Sequence, residues 1–241
     1  MSDTQYRGLH RRFAQVHDRL QYSADRIFDI VLHHLAARSV LDVGCGAGDF
    51  LFQAHKRGIP DVFGIEGMWA ENSPFLLPPE QRRLIDLEQP FDLGRTFDLV
   101  ISLEVAEHLS ARAAQGFVES LTRHGDFVLF SAAIPEQGGI NHINEQWPAY
   151  WAAQFHARGF DCHDFIRWEI WDDELLPFYY RQNLFLYARR SVVERGDPRI
   201  VRPFPPGPKL LPIVHPTLYR KKVKAAREAE ARQTPSGTSR A

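Results

Sequence analysis

Ser39-Val40-Leu41-Asp42-Val43-Gly44-Cys45-Gly46-Ala47-Gly48 runs a short β-branched strand into glycines at three alternate positions, Gly44, Gly46 and Gly48. Glycine permits positive φ and lets a ligand approach the backbone with no Cβ in the way, and the helix that follows such a loop presents unpaired N–H groups. The stretch is therefore built to hold a nucleotide-like ligand. The next apolar run, residues 61–65, ends in Glu66-Gly67, which sets a carboxylate eighteen residues beyond Gly48. A carboxylate there can take both hydroxyls of a ribose.

The glycine spacing separates two ligand classes. A dinucleotide site uses G-x-G-x-x-G, with a helix N-terminus meeting the pyrophosphate. Counted from Gly44, the third glycine of that pattern falls at position 49, which is Asp49. An acid there repels a pyrophosphate but accepts a hydrogen bond from an ammonium group. The pattern predicts a nucleoside carrying an amino-acid moiety and argues against a nicotinamide oxidoreductase.

Outward from this loop, apolar runs at 40–43, 62–65, 83–87, 97–102 and 127–131 alternate with helical stretches at 50–56 and 111–123. That rhythm predicts an α/β fold with a doubly wound parallel sheet. Residues 150–157 read as a further helix and 183–188 as a last strand. Upstream, Tyr6, Leu9, Phe13, Val16 and Leu20 step by three and four, which predicts an amphipathic helix. Ser23 offers a cap for a second helix through Ile27, Ile30, Val31 and Leu35. Residues 1–36 are thus read as helices packed on the core, with a lid over the ligand as the alternative, and 37–190 as the catalytic domain. Residues 191–241 form a Pro-rich arm, a basic helix at 218–233 and a tail, 234–241, expected to be disordered.

The composition bounds the function. The chain has 241 residues, 44% apolar and 24% charged, which is the make-up of a globular protein with one full core. A formal charge of −1 gives no general attraction for nucleic acid. The basic run of Arg220, Lys221, Lys222, Lys224 and Arg227 is interleaved with Glu228 and Glu230 and reads as a solvated helix face. Two cysteines make neither a disulfide framework nor a metal set, no apolar run approaches the ~20 residues of a membrane span, and no signal peptide is evident. A cytoplasmic protein without membrane or nucleic-acid partners is expected, and the Pro-rich arm is a candidate homodimer contact.

The motif at 40–48 resembles the first motif of the class I S-adenosylmethionine-dependent methyltransferases, and the similarity continues in order over roughly residues 35 to 190. On that resemblance Glu66, with Gly67 beside it, is the ribose-binding acid. Asp86 and Leu87 in Arg83-Leu84-Ile85-Asp86-Leu87 contact adenine. Asp42, Gly44, Gly46 and Asp49 surround the amino-acid end, and Leu103 lies near the methionine portion, in the fourth-strand motif Phe97-Asp98-Leu99-Val100-Ile101-Ser102-Leu103-Glu104-Val105-Ala106-Glu107-His108-Leu109. The resemblance implies a Rossmann-like, seven-stranded sheet, mostly parallel with an antiparallel last strand, and S-adenosyl-L-methionine as cofactor.

Methyl transfer to a hydroxyl needs the acceptor held in line and its proton removed, at the carboxyl ends of the strands. His108 is a candidate base there, with Glu104 as a second acid and Glu107 expected to make a structural hydrogen bond. Residues 132–151 are dense in polar and aromatic groups for a loop leaving a strand. His142, Asn144, Glu145 and Gln146 can hydrogen-bond a polyhydroxylated acceptor, while Trp147, Tyr150 and Trp151 offer flat faces. The structural alternative has Glu145 and Gln146 capping the helix begun at Pro148, with the tryptophans in the core, where Trp151 belongs. His108, His142 and Glu145 are thus the catalytic candidates.

Asn144-Glu145-Gln146-Trp147-Pro148, with Tyr179-Tyr180-Arg181-Gln182-Asn183, also resembles a bacterial subgroup associated with surface-glycan or secondary-metabolite clusters. It points to a small-molecule acceptor, a sugar or metabolite oxygen. Some sugar O-methyltransferases use Mg²⁺, but no Asp-Asp pair follows the fourth strand. No metal is expected, and His142 and Glu145 are read as hydrogen-bonding groups. Base methylation is disfavoured because Ser102-Leu103-Glu104-Val105 replaces the Asn/Asp-Pro-Pro-aromatic element of nucleic-acid amino methyltransferases. The other readings are a protein methyltransferase and a non-catalytic protein that binds the cofactor, or S-adenosylhomocysteine, to support a partner.

Overall fold

The computed structural model describes the backbone of residues 3–205 and 212–233, with side chains at 17–205 and 212–229. The tail at 234–241, part of the Pro-rich arm, and the side chains of Tyr6, Leu9, Phe13 and Val16 lie outside the described residues. In chain order the elements are α1 (Asp3–His34), β1 (Ser39–Val43), α2 (Asp49–Lys56), β2 (Asp61–Gly67), β3 (Arg82–Ile85), β4 (Leu99–Leu103), α3 (Ala114–His124) and β5 (Phe127–Ser131). They continue with α4 (Pro148–His156), β6 (Phe160–His163), α5 (Ile166–Glu169), α6 (Phe178–Asn183), β7 (Phe185–Arg189), α7 (Arg190–Glu194) and α8 (Pro216–Gln233).

The seven strands form one sheet in the order β3-β2-β1-β4-β5-β7-β6. All pairings from β3 to β5 are parallel, and β7 runs antiparallel to both β5 and β6. The alternation of side chains along each strand explains two apolar layers. Val40, Leu99, Ile101, Phe127, Leu129 and Leu186 face the layer that holds Ile27, Phe28 and Val31 of α1 with Phe50 and Leu51 of α2. Leu41, Val43, Val100, Val128, Phe130 and Tyr187 face the other, with Phe117 and Leu121 of α3 and Trp151 and Phe155 of α4. Covered on both faces, the central strands β4 and β5 are largely apolar, which is why they read as continuous runs.

Strand order reverses beside β1, whose neighbours are β2 and β4. Open α/β sheets bind ligands at such a switch point, outside the carboxyl ends of the strands.

Three local expectations are corrected. The N-terminal region is one continuous helix, α1, rather than two: Ser23 sits inside it and donates its hydroxyl to Arg19 O at 2.7 Å. No glycine or proline interrupts residues 9–34, and a serine hydroxyl is satisfied as readily by the carbonyl four residues back as by capping. The last strand begins at Phe185, because residues 178–183 form α6. An edge strand, β6, also lies at 160–163, where a four-residue Phe-Asp-Cys-His run with three half-buried positions carries little apolar signal.

Candidate active site

A cleft of about 930 Å³ opens at the carboxyl ends of β1 to β4, lined by Gly44, Gly46, Glu66, Gly67, Asp86 and Leu87 on one side and by Glu104, His108, Ile140 and Asn141 on the other. Its size lies within the ~300–1,000 Å³ of small-molecule sites. Met68 and Trp69, which follow β2, complete the wall; Trp69 is 74% exposed.

The loop after β1 is fixed by its glycines. Gly44 has φ 84°, and a Cβ there would overlap Val105. Gly46 has φ 54°, and the space where its Cβ would stand is open. One glycine permits close packing beneath the site, and the other leaves room for a ligand above it. Glu66 joins the loop to β2: one carboxylate oxygen accepts the Gly46 N–H at 2.6 Å and the other the Gly67 N–H at 2.7 Å. Each oxygen keeps a further acceptor site, which suits a diol donating two hydroxyls. Asp86 faces the same cleft, its Oδ1 accepting the Glu88 N–H at 3.0 Å.

The opposite wall is made by the tip of β4 and the loop after β5. Glu104 leaves β4 at φ 55°, an uncommon conformation for a side-chain-bearing residue. Its backbone N–H is held by Ser131, and its carboxylate accepts from Gln137 at 3.0 Å and Asn183 at 3.1 Å. Burial raises the Glu104 carboxyl, with these hydrogen bonds opposing the shift. Gln137 and Asn183 are in turn bonded to each other and to Gln182, which accepts the backbone N–H of His215. A buried polar network thus runs from the cleft to the segment entering α8.

Residues 106–108 form a 3-10 turn that presents His108 to the cleft. The backbone carbonyl of Glu107 accepts both the Ile143 and Asn144 N–H groups, at 2.9 and 3.0 Å, and so ties the distal loop to this turn. His142 then packs edge-on against His108, ring centroids 4.9 Å apart. Its Nδ1 lies 2.8 Å from Glu145 Oε1, which also accepts the Gly138 N–H at 2.7 Å. Burial, reinforced by the nearby His142, lowers the His108 pKa and favours a neutral imidazole able to accept a proton.

No protein-family profile matches the chain, and no curated relative matches it. Solved structures do. DesVI of Streptomyces venezuelae matches with a TM-score of 0.52 at 16% identity, over 78% of this chain and 98% of that one. SAM-bound CalS10, an amino pentose methyltransferase from Micromonospora echinaspora, matches with a TM-score of 0.50 at 20% identity over the same shares. The chain has the class I S-adenosylmethionine-dependent methyltransferase fold.

Within this methyltransferase fold, Gly44, Gly46, Glu66, Gly67, Asp86, Leu87, Glu104 and His108 all lie on the cleft, with His142 and Glu145 grouped behind His108. Three further expected cofactor residues do not line this cleft. Asp42 is buried within β1, Leu103 packs against the core layer under α1, and Asp49 is bonded to His17 Nδ1 of α1 at 2.9 Å. The predicted ammonium acceptor thus already has a partner that spacing alone did not reveal. Glu107 is a correction as well. Its side chain is fully buried, and neither carboxyl oxygen makes a well-formed hydrogen bond although the Ala133 backbone and the Glu104 carboxyl stand near it, so the bonding of good geometry is done by its backbone carbonyl. Glu145 and Gln146 do not cap α4, whose N-cap is Trp147 without a side-chain bond. Trp151 is buried in the core, whereas Trp147 stays exposed. Residues that sequence reasoning missed include Trp69, a tryptophan three residues beyond Glu66 whose position was the available signal, and the Gln182–His215 link, which carried none.

Proposed function

We propose that this protein transfers a methyl group from S-adenosyl-L-methionine to a hydroxyl of a small-molecule acceptor, a sugar or related metabolite. The observation that carries the reading is the placement of Glu66 beside the open Gly46, at the switch point of a methyltransferase fold. Gly44 and Gly46 admit the cofactor's amino-acid end, Glu66 takes the ribose diol, and Asp86 with Leu87 meets the adenine edge. When bound, the cofactor supplies an electrophilic methyl on a sulfonium.

The acceptor side is polar and basic, which suits a hydroxyl. His108, lowered towards neutrality, stands on the cleft as proton acceptor, and His142, oriented by Glu145, supports it at ring-contact distance. Such a base contributes on the order of 10²- to 10⁴-fold. CalS10, a structural neighbour named as an amino pentose methyltransferase, supports a sugar-like acceptor. The absence, among described residues, of a helix long and apolar enough to cross a membrane, together with free Cys45 and Cys162 thiols, fits a reaction in the cytoplasm.

The test is a methyl-transfer assay with labelled S-adenosylmethionine over a panel of sugars, aminosugars and phenolic metabolites. Transfer to a hydroxyl supports the proposal. Tight binding of S-adenosylhomocysteine with no transfer to any member contradicts it in favour of a non-catalytic cofactor-binding protein.

A further inference from the structure

The acceptor wall contains a group that proton transfer leaves unexplained. Glu107 is fully buried, and neither oxygen of its carboxylate has a hydrogen-bond partner. A buried carboxyl group with no well-placed donor is costly to ionise, and a bound cation would satisfy it.

Two imidazoles face the same point. Ligand atoms of Glu107, His108 and His142 all lie within 4.8 Å of one another. Atoms around an ion bound at ~2.1 Å stand roughly 3–4 Å apart, so a small closure completes a shell. The outer partners are those that ligating histidines commonly have. Nδ1 of His142 is engaged by Glu145 at 2.8 Å and Nδ1 of His108 by the Asn141 carbonyl at 3.3 Å, which fixes both tautomers and leaves Nε2 lone pairs available. Glu145 is itself anchored by the Gly138 N–H. Gly139 contributes by lacking a side chain, since a Cβ there would overlap the His142 ring. The backbone bonds from Ile143 and Asn144 to Glu107 hold the two loops in register, so the cluster does not depend on chance approach of mobile side chains.

We propose that Glu107, His108 and His142 bind one divalent first-row transition ion, with its remaining coordination positions open to the cleft and to an oxygen of the acceptor. Two imidazoles and one carboxylate favour Mn²⁺, Fe²⁺, Co²⁺ or Zn²⁺ over Mg²⁺, which prefers an oxygen shell with retained water. This revises the expectation of a metal-free site. The use of the ion in catalysis rests on the proposed methyl transfer: in the ion-loaded protein the metal would orient the acceptor hydroxyl and lower its pKa, with His108 and His142 serving as ligands in place of His108 acting as the proton acceptor. Binding of the ion does not rest on that reading.

The experiment is titration of chelator-stripped full-length protein with Mn²⁺, followed by calorimetry and by the loss of the free-ion EPR signal, with S-adenosylhomocysteine binding measured on the same samples. One Mn²⁺ per chain is expected, bound more tightly than Mg²⁺. His108→Ala, at an exposed position where folding is spared, and His142→Ala should each weaken it at least tenfold. Glu107→Gln should do the same, with circular dichroism as the fold control, whereas Glu66→Ala should leave Mn²⁺ affinity unchanged. No stoichiometric uptake by the wild type, wild-type affinity in both histidine variants, or preference for Mg²⁺ would overturn the assignment. Loss of the metal result with cofactor binding intact defeats only the ion site, and the reverse pattern defeats only the cofactor reading.

Discussion

The Glu66 carboxylate accepts the Gly46 N–H at 2.6 Å, so the acid at the end of β2 and the open glycine of the preceding loop form one unit. Glu66→Ala removes the loop tether and, on the proposed function, a cofactor ligand. A charge-assisted bond to a backbone amide contributes ~1.5–3 kcal/mol. S-adenosylhomocysteine affinity should therefore fall by about 10- to 100-fold, and Glu66→Gln should lose less of it. Calorimetry showing unchanged affinity in the alanine variant would remove Glu66 from the site.

His142 stands behind His108 and touches the cofactor side through no bond. His142→Ala should leave S-adenosylhomocysteine affinity near the wild-type value and lower kcat by about 10²-fold or more. Stopped-time assays at saturating cofactor check this. Full turnover in the variant contradicts a role for the ring.

A pH effect follows from Asp42. Burial, with the Glu66 and Asp49 charges adding to it, pushes its carboxyl up to about 8. The unfolded chain ionises the same group near ~3.9, so folding takes up a proton at the pH values between. Stability tied to the neutral carboxyl is complete below the unfolded value and is lost as pH rises through about 8. In the unliganded protein, the gain in stability of Asp42→Asn over wild type should grow from about pH 5 to pH 8 and level off above. Urea melts across that range giving a constant difference would show that Asp42 is ionised in the native state.

Arg167 and Asp164 form a two-pronged ion pair, both bonds 2.6 Å, beneath α6 and almost wholly out of solvent. Asp164→Ala removes the counter-charge of the guanidinium, which still donates to the Gln182 carbonyl at 3.1 Å, and should cost about 3–5 kcal/mol in chemical denaturation. The Arg167→Met, Asp164→Leu double variant should regain most of that loss. A loss under about 1 kcal/mol in the single variant would mean that water reaches the arginine.

Legibility in the sequence followed the range of the interaction. The loop at 44–48 and the acid at 66 could be read because strand, turn and glycine chemistry are local, and five apolar runs marked β1 to β5, all but the edge strand β3 largely buried. β6 escaped because an edge strand needs few apolar residues, and α1 was divided because a buried serine looks like a cap when its carbonyl partner is unseen. The partnership of Asp49 with His17, thirty-two residues away, and the meeting of Glu107 with His142 depend on tertiary packing. His108 and His142 were each visible as chemistry. Their ring contact was not, because two loops must first be tied by the Glu107 carbonyl.

Titration of the purified chain with S-adenosylhomocysteine, set beside NAD in the same calorimeter, meets the central claim most directly. The account predicts one site per chain for the former, weakened by Glu66→Ala, and no comparable heat from the dinucleotide. Binding of NAD with S-adenosylhomocysteine excluded, or no binding of either, would contradict it.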